Sequence, residues 1–255
     1  MLGWFSSRVF TGAAQRRLCA GGVPILTYHK IGEPAAGTRD PFLYVRPGRF
    51  DEHLATLKRC GYRSASLAAN LAAGGNPEHK LVITFDDGCR NVLEHGLQPL
   101  SRHQFHAIQF LVAGLLGGNN EWDIAKGDVP EALMDAAQVR DWLAAGHEIG
   151  SHSATHRNLR HLPRAEAREE IFASKKSLED RFGLEVRHFC YPYGSWNGTV
   201  RDLVREAGYH TACTMRFGVM VAATPAFELP RILPLSTSEL LAKIRHRLAR
   251  KMFGA

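Results

Sequence analysis

The chain has no hydrophobic run long enough to cross a bilayer, no paired cysteines, no internal repeat and, over its first 22 residues, no acidic side chain. A membrane-spanning helix needs roughly 20 consecutive apolar residues. The best candidate, Phe105 to Leu116, is broken by Gln109 and ended by Gly117-Gly118. We therefore expect a protein that is soluble or touches a membrane only at its surface. The five cysteines, Cys19, Cys60, Cys89, Cys190 and Cys213, are odd in number, scattered, and without Cys-x-x-Cys spacing. That pattern argues against a disulfide framework or a zinc cluster and for reduced thiols in a cytoplasmic protein. Residues 1–22 carry Arg8, Arg16 and Arg17, and their apolar positions are too interrupted to form a signal-peptide core. An organelle transit peptide is the alternative; we read a flexible or surface-lying leader.

What is present is enough for one large α/β domain: 255 residues, 45% of them hydrophobic. The net charge of +7 reads as solvated surface, with no nucleic-acid partner expected, although it would attract an anionic substrate or membrane surface. Val23 to His29 reads as a first strand, followed by a Gly/Pro-rich loop to Pro47. Phe50, Leu54 and Leu57 recur at helical spacing between Arg49 and Cys60, and Gly61 stops that helix. A small helix is expected over Asn70 to Gly75. Leu81 to Phe85 is a compact β-rich run of the kind buried on both faces of a parallel sheet.

Helices are then expected over Asn91–His103, Ala136–Ala145, Arg164–Phe182 and Thr199–Ala207. They alternate with strands Ala107–Val112, His147–Ser151, His188–Tyr191 and His210–Thr214. Strands alternating with helices imply parallel βαβ units, and about seven of them favour a barrel over an open sheet. The stretch Ser238 to Phe253 sets Lys243, Arg245, Arg247, Arg250 and Lys251 around Leu240, Leu241, Ile244 and Leu248. It reads as a peripheral helix with a solvated basic face, with contact to an anionic membrane as the alternative. The expected division is a leader over 1–22, a catalytic domain over 23–235 and a basic amphipathic helix over 236–255.

Three separate segments carry chemistry. Leu-Val-Ile-Thr-Phe delivers Asp86-Asp87-Gly88 to the carboxyl end of a strand, where barrel active sites gather. Successive strand side chains point opposite ways, so the two carboxylates need not share a role. Gly88 permits a sharp turn there, and the competing explanation is that one Asp caps the next helix. His152 and His156 stand four residues apart, which suits chelation if the segment is helical or turn-like. His147 reads as structural, and Glu148 precedes the rim. One carboxylate and two imidazoles suit a divalent metal, and the second carboxylate suits a base. That is the equipment of a metal-dependent hydrolase of an amide or ester.

Thr84-Phe85-Asp86-Asp87-Gly88, Ser151-His152-Ser153-Ala154-Thr155-His156 and Phe189 to Gly194 together resemble the motifs of the polysaccharide deacetylases, the NodB-homology group of carbohydrate esterases. The resemblance covers residues 22 to 235. It implies a single-domain, distorted (β/α)7 barrel that removes acetyl groups from N-acetylated sugars. By the family pattern Asp87, His152 and His156 hold the metal and Asp86 is the general base. Tyr193 would donate its backbone N–H to the oxyanion, and Tyr191 and Pro192 would shape the substrate groove.

The chain departs from the familiar members at two points. Cys190 stands where they carry an Arg that pairs with the base, and no late Leu-x-His segment supplies the acid. Thr27-Tyr28-His29 and Leu229-Pro230-Arg231-Ile232 instead resemble the rearranged subgroup that includes poly-N-acetylglucosamine deacetylases. That makes His29 the candidate acid and Arg231 the candidate replacement near Asp86 and the substrate. Trp122, in a loop, is a candidate groove residue or a buried anchor. Zinc is the expected metal, with Fe2+, Co2+ or Ni2+ suited to the same donors. Competing readings are a hydrolase of a non-sugar amide and a non-catalytic sugar-binding domain on the same fold. The oligomeric state is not legible.

Overall fold

The apolar runs pair in parallel. The computed structural model describes residues 22–67 and 79–234. The small helix expected over 70–75 and the basic helix expected over 236–255 lie outside the described residues, as does the leader apart from Gly22. Ten strands are described: β1 Ile25–Tyr28, β2 Lys30–Ile31, β3 Tyr44–Val45, β4 Arg63–Ser64, β5 Lys80–Phe85, β6 Ala107–Leu111, β7 Glu148–Ser151, β8 His188–Cys190, β9 Thr211–Phe217 and β10 Leu229–Arg231. The principal sheet runs β1-β5-β6-β7-β8-β9-β10, with β4 added beside β5; β2 and β3 pair separately. Its ends meet where Thr27 N–H donates to the Ile232 carbonyl at 3.0 Å and Ile232 N–H to that of Ile25 at 2.8 Å. The result is a parallel sheet nearly closed into a barrel, as the strand–helix alternation implies.

Helices α1 Pro47–Arg59, α2 Arg90–His103, α3 Glu121–Ile124, α4 Ala136–Ala144, α5 Arg164–Phe182 and α6 Gly198–Glu206 connect the strands. Local chemistry sets their ends. Asp135 accepts from Ala137 and Gln138 N–H while Gln138 reaches back to the Asp135 N–H, a complete capping box for α4. Asn197 caps α6 through the Val200 N–H. Helix α2 has Cys89 at its N-cap with no side-chain cap, so neither Asp86 nor Asp87 does that work.

Side-chain alternation divides the core in two. Val82, Ile25, Ile108, Phe110, Cys190, Cys213 and Leu229 form an inner cluster, whereas Leu81, Ile83, Phe85, Leu26 and Tyr28 belong to the cluster under the helices. Asp86 continues the inward series Val82, Thr84, and Arg231 continues that of Leu229. Outside the sheet, Tyr28–Phe50, Phe50–Phe85 and Phe85–Trp142 have ring centroids 5.1, 5.7 and 6.0 Å apart. Such pairs add about 0.5–1.5 kcal/mol each beyond their area. They fix the ends of β1 and β5, from which His29 and Asp86 emerge.

Among the described residues no helix is long and apolar enough to cross a membrane. Cys60, Cys89, Cys190 and Cys213 are free thiols.

Candidate active site

The three chemistry-bearing segments converge at the carboxyl ends of the strands. A pocket there is lined by His29, Asp86, Asp87, His152, His156 and Tyr193, with Trp122, Lys126 and Tyr191 among the other lining residues. Backbone strain concentrates at this point. Among the described residues six non-glycine residues have positive φ, and four of them are Asp87 (74°), Ser153 (65°), His156 (62°) and Tyr193 (60°). Left-handed backbone costs such residues about 1–3 kcal/mol each, so the surrounding contacts must hold it. Those contacts are visible. Ser153 Oγ accepts the His156 N–H at 3.0 Å. The buried Glu170 carboxylate accepts from the N–H groups of Ala154 and Thr155 and from the Thr155 hydroxyl. Residues 152–156 are therefore an irregular loop pinned by helix α5, not a helical face. Gly194 is obligatory in its turn: its φ is +63° and a Cβ there would lie 2.5 Å from Met215.

Asp87, His152 and His156 place one ligand atom each within 4.8 Å of the others. His156 Nε2 and His152 Nε2 stand 3.4 and 3.6 Å from Asp87 Oδ1. His152 Nδ1 lies 2.7 Å from the Cys190 carbonyl oxygen, which can only accept, so Nδ1 carries the proton and Nε2 presents its lone pair. Burial, reinforced by the neighbouring His156, pushes His152 down to about 4, against the pull of Asp86 and Asp87. Burial opposes the charge on Asp87, but the His156 hydrogen bond and the surrounding imidazoles hold its carboxyl well below the usual range. His156 Nδ1 is buried without a hydrogen-bond partner among the described residues. The His152 lone pair is aimed at a carboxylate on the pocket wall, and this mixed N/O donor set fits a divalent ion.

Asp86 has a different environment. Arg231 donates to both of its oxygens, Nη1 to Oδ1 and Nη2 to Oδ2, each at 2.7 Å. The guanidinium is itself held by the Thr214 carbonyl at 2.9 Å and Thr84 Oγ1 at 3.2 Å. Burial would raise the Asp86 carboxyl; the charge and paired hydrogen bonds of Arg231 override it and keep it at about 2. Cys190 Sγ lies 3.1 Å from Arg231 Nη2 and 3.6 Å from Asp86 Oδ2. Burial pushes that thiol well up, so it stays protonated. Asp86, His152 and Cys190 form a second convergent set. A cation there would face the Arg231 charge already bound to Asp86, so the Asp87 set fits better. His29 Nε2 approaches Asp86 Oδ2 at 3.8 Å from beyond the end of β1.

Trp122 stacks on His156 with centroids 4.3 Å apart, which makes it packing for that imidazole as well as pocket wall. Tyr191 is buried, donates its hydroxyl to the Phe227 carbonyl at 3.1 Å and still borders the pocket. Pro192 is buried in the turn that presents Tyr193. Arg231, expected near both Asp86 and substrate, is 2% exposed and lies behind Asp86, not on the pocket wall. Sequence reasoning missed Lys126, whose ammonium donates to the Tyr193 hydroxyl at 2.8 Å and lies 4.6 Å over its ring. A lysine in an irregular loop carries no signal for such a contact.

A polysaccharide deacetylase family model matches residues 73–212. The protein YxkH of Bacillus subtilis (strain 168) is 23% identical over 214 residues, covering 82% of this chain and 70% of its own length. The poly-beta-1,6-N-acetyl-D-glucosamine N-deacetylase of Escherichia coli (strain K12) is 25% identical over 247 residues, 83% of this chain. This match spans only 36% of the E. coli enzyme. Among solved structures, IcaB from Ammonifex degensii superposes with a TM-score of 0.73 at 22% identity, covering 89% of this chain and 97% of that one. The Streptococcus pyogenes deacetylase PplD in complex with acetate gives 0.72 at 24% identity, covering 87% and 97%. At these identities the two structures establish the fold.

Proposed function

This chain belongs to the polysaccharide deacetylase family, and from that premise we propose that it hydrolyses the acetamide of an N-acetylated sugar, releasing acetate and the free amine. The observation that carries the reading is the pair of adjacent buried carboxylates with opposite partners: Asp87 faces two imidazoles, and Asp86 is gripped by Arg231. In our reading Asp87, His152 and His156 hold a divalent cation, with zinc as the ion we assign. Bound there, it supplies the Lewis acidity that lowers the pKa of water and polarises the amide carbonyl.

The protein's own groups divide the proton work. Asp86 is kept ionised by Arg231 and accepts the proton of the attacking water, a role worth about 10²- to 10⁴-fold. His29, 3.8 Å from Asp86 Oδ2, carries the proton that the departing amine takes. The Tyr193 N–H donates to the oxyanion; the left-handed backbone at Tyr193 supports this assignment, and one such donor is worth about 3 kcal/mol. Tyr191, Pro192 and Trp122 shape the groove.

The relative named for poly-beta-1,6-N-acetyl-D-glucosamine favours an N-acetylhexosamine substrate. We assign a lipid-linked form in a cytoplasmic setting, because the basic residues of 236–255 suit an anionic membrane. Deleting residues 238–255 should abolish binding to anionic vesicles, and retained binding counts against that form. The function itself is tested by acetate release from free, nucleotide-linked, oligomeric and lipid-linked N-acetylhexosamines, using metal-stripped and zinc-reloaded protein. Zinc-dependent release from one class supports the reading. One bound ion with no release from any class contradicts it and points to a non-sugar amide or a binding domain.

A further inference from the structure

Two loops wall the pocket, and one carboxylate outside the pocket joins them. Residues 29–45 contribute His29, Arg39 and Leu43 to its lining, and residues 119–133 contribute Trp122, Lys126 and Asp128. At the pocket itself the Arg39 N–H donates to Asp128 Oδ1 at 2.9 Å, a first link between the two segments. Glu131 is not among the lining residues. Its Oε2 accepts the Tyr44 hydroxyl, and its Oε1 accepts Asn91 Nδ2 at 3.0 Å. Asn91 Oδ1 in turn accepts the Ile31 N–H at 3.2 Å, two residues beyond His29. Lys30 is 2% exposed, and its ammonium lies 4.8 Å over the ring of Tyr44, the residue whose hydroxyl Glu131 accepts. On its own loop Glu131 is fixed by the buried Asn120. The Glu131 N–H donates to Asn120 Oδ1 at 2.6 Å, and the Asn120 N–H donates to the Glu131 carbonyl at 3.1 Å.

We propose that Glu131 is a positioning residue: together with the Asp128–Arg39 contact it couples the loop that follows His29 to the segment of helix α3 and the turn after it that carries Trp122 and Lys126, and so sets their spacing at the pocket. The consequence rests on the deacetylase reading. Trp122 stacks on His156 and Lys126 holds Tyr193, so one side of the coupling reaches the cation and oxyanion groups. The other side reaches His29, which faces Asp86. A displacement near 1 Å at reacting groups costs about 10²-fold. Losing Glu131 should therefore slow turnover while leaving the metal ligands in place.

The test compares Glu131→Ala and Glu131→Gln with wild type. The alanine variant should bind one zinc per chain and show kcat reduced about 10- to 100-fold with KM changed less than about threefold. Glutamine keeps an acceptor and adds a donor for the same neighbours, so it should recover kcat to within about fivefold of wild type. Trypsin supplies a readout independent of activity: cleavage after Lys126 should be faster in Glu131→Ala than in wild type at equal thermal midpoint. Wild-type kcat together with wild-type cleavage in Glu131→Ala overturns the proposal, as does a kcat loss matched by loss of zinc or of folded protein. If wild type releases no acetate from any sugar, the functional reading fails, and the cleavage rates alone decide whether Glu131 couples the loops.

Discussion

The two ends of the barrel carry the same side-chain types with different outcomes. At the carboxyl end Asp87, His152 and His156 converge within 4.8 Å. At the amino end His147, Glu148 and His188 line one pocket, yet they are not among the convergent groups found in the described residues. There His188 Nδ1 is occupied by Thr211 Oγ1 at 2.8 Å, His147 packs on the Trp142 ring at 4.3 Å, and Glu148 is 42% exposed while lying 3.6 Å from His188. The difference is backbone. The amino-end residues sit on or beside regular strands, whose alternation points neighbours apart. The carboxyl-end residues sit where Asp87 and His156 adopt positive φ, which turns them toward a common point. In this chain the histidines and the carboxylate converge only where the backbone is bent to aim them.

The largest effect that would break this comparison is loss of a carboxyl-end donor. Asp87→Ala or His152→Ala should bind no stoichiometric zinc and lose at least roughly 10³-fold in acetate release, since the ion supplies several kcal/mol at about 1.4 kcal/mol per tenfold. His188→Ala should keep both; zinc titration with parallel acetate assays separates the outcomes. Next, Asp86→Asn should retain one zinc and lose about 10²- to 10³-fold in kcat, and wild-type turnover would remove Asp86 from the base role.

Arg231→Met addresses the same pair through stability. It leaves a buried carboxylate without its counter-charge, and urea unfolding near neutral pH should show a loss of about 3–5 kcal/mol. The smallest effect lies at the amino end. Burial, helped by His106, pushes His147 down to about 4, so the unfolded chain binds the proton more readily. Stability should fall as pH drops from about 6.5 toward about 4 and change no further through this group below that. In His147→Phe that part of the acid slope should disappear, and an unchanged slope would assign it elsewhere.

Much of this was legible in the sequence. Strands built from consecutive apolar residues and helices with regular stripes were found to within a few residues, because burial enforces their periods. Strands β2, β3, β4 and β10 are two or three residues long, too short for any period to show. The carboxylate pair and the two histidines were visible as motifs. Of the helical or turn-like segment expected around His152 and His156, the helix is absent: the stretch is a bent loop held by Glu170 and Ser153 and not by helical hydrogen bonds. Only its flanking residues, Leu229-Pro230 and Ile232, point to Arg231 in the sequence. Its bidentate grip spans 145 positions and depends on the register that aligns β10 with β9 and β1. The Glu131 contacts were illegible, because nothing local to Glu131, Tyr44 or Asn91 announces a partner on a distant loop.

The most direct test is anomalous scattering at the zinc edge from crystals of the zinc-reloaded protein. The account predicts one strong peak per chain, between Asp87 Oδ1, His152 Nε2 and His156 Nε2. A peak against Asp86 and Cys190, one at the His147–His188 end, or none at all would contradict it.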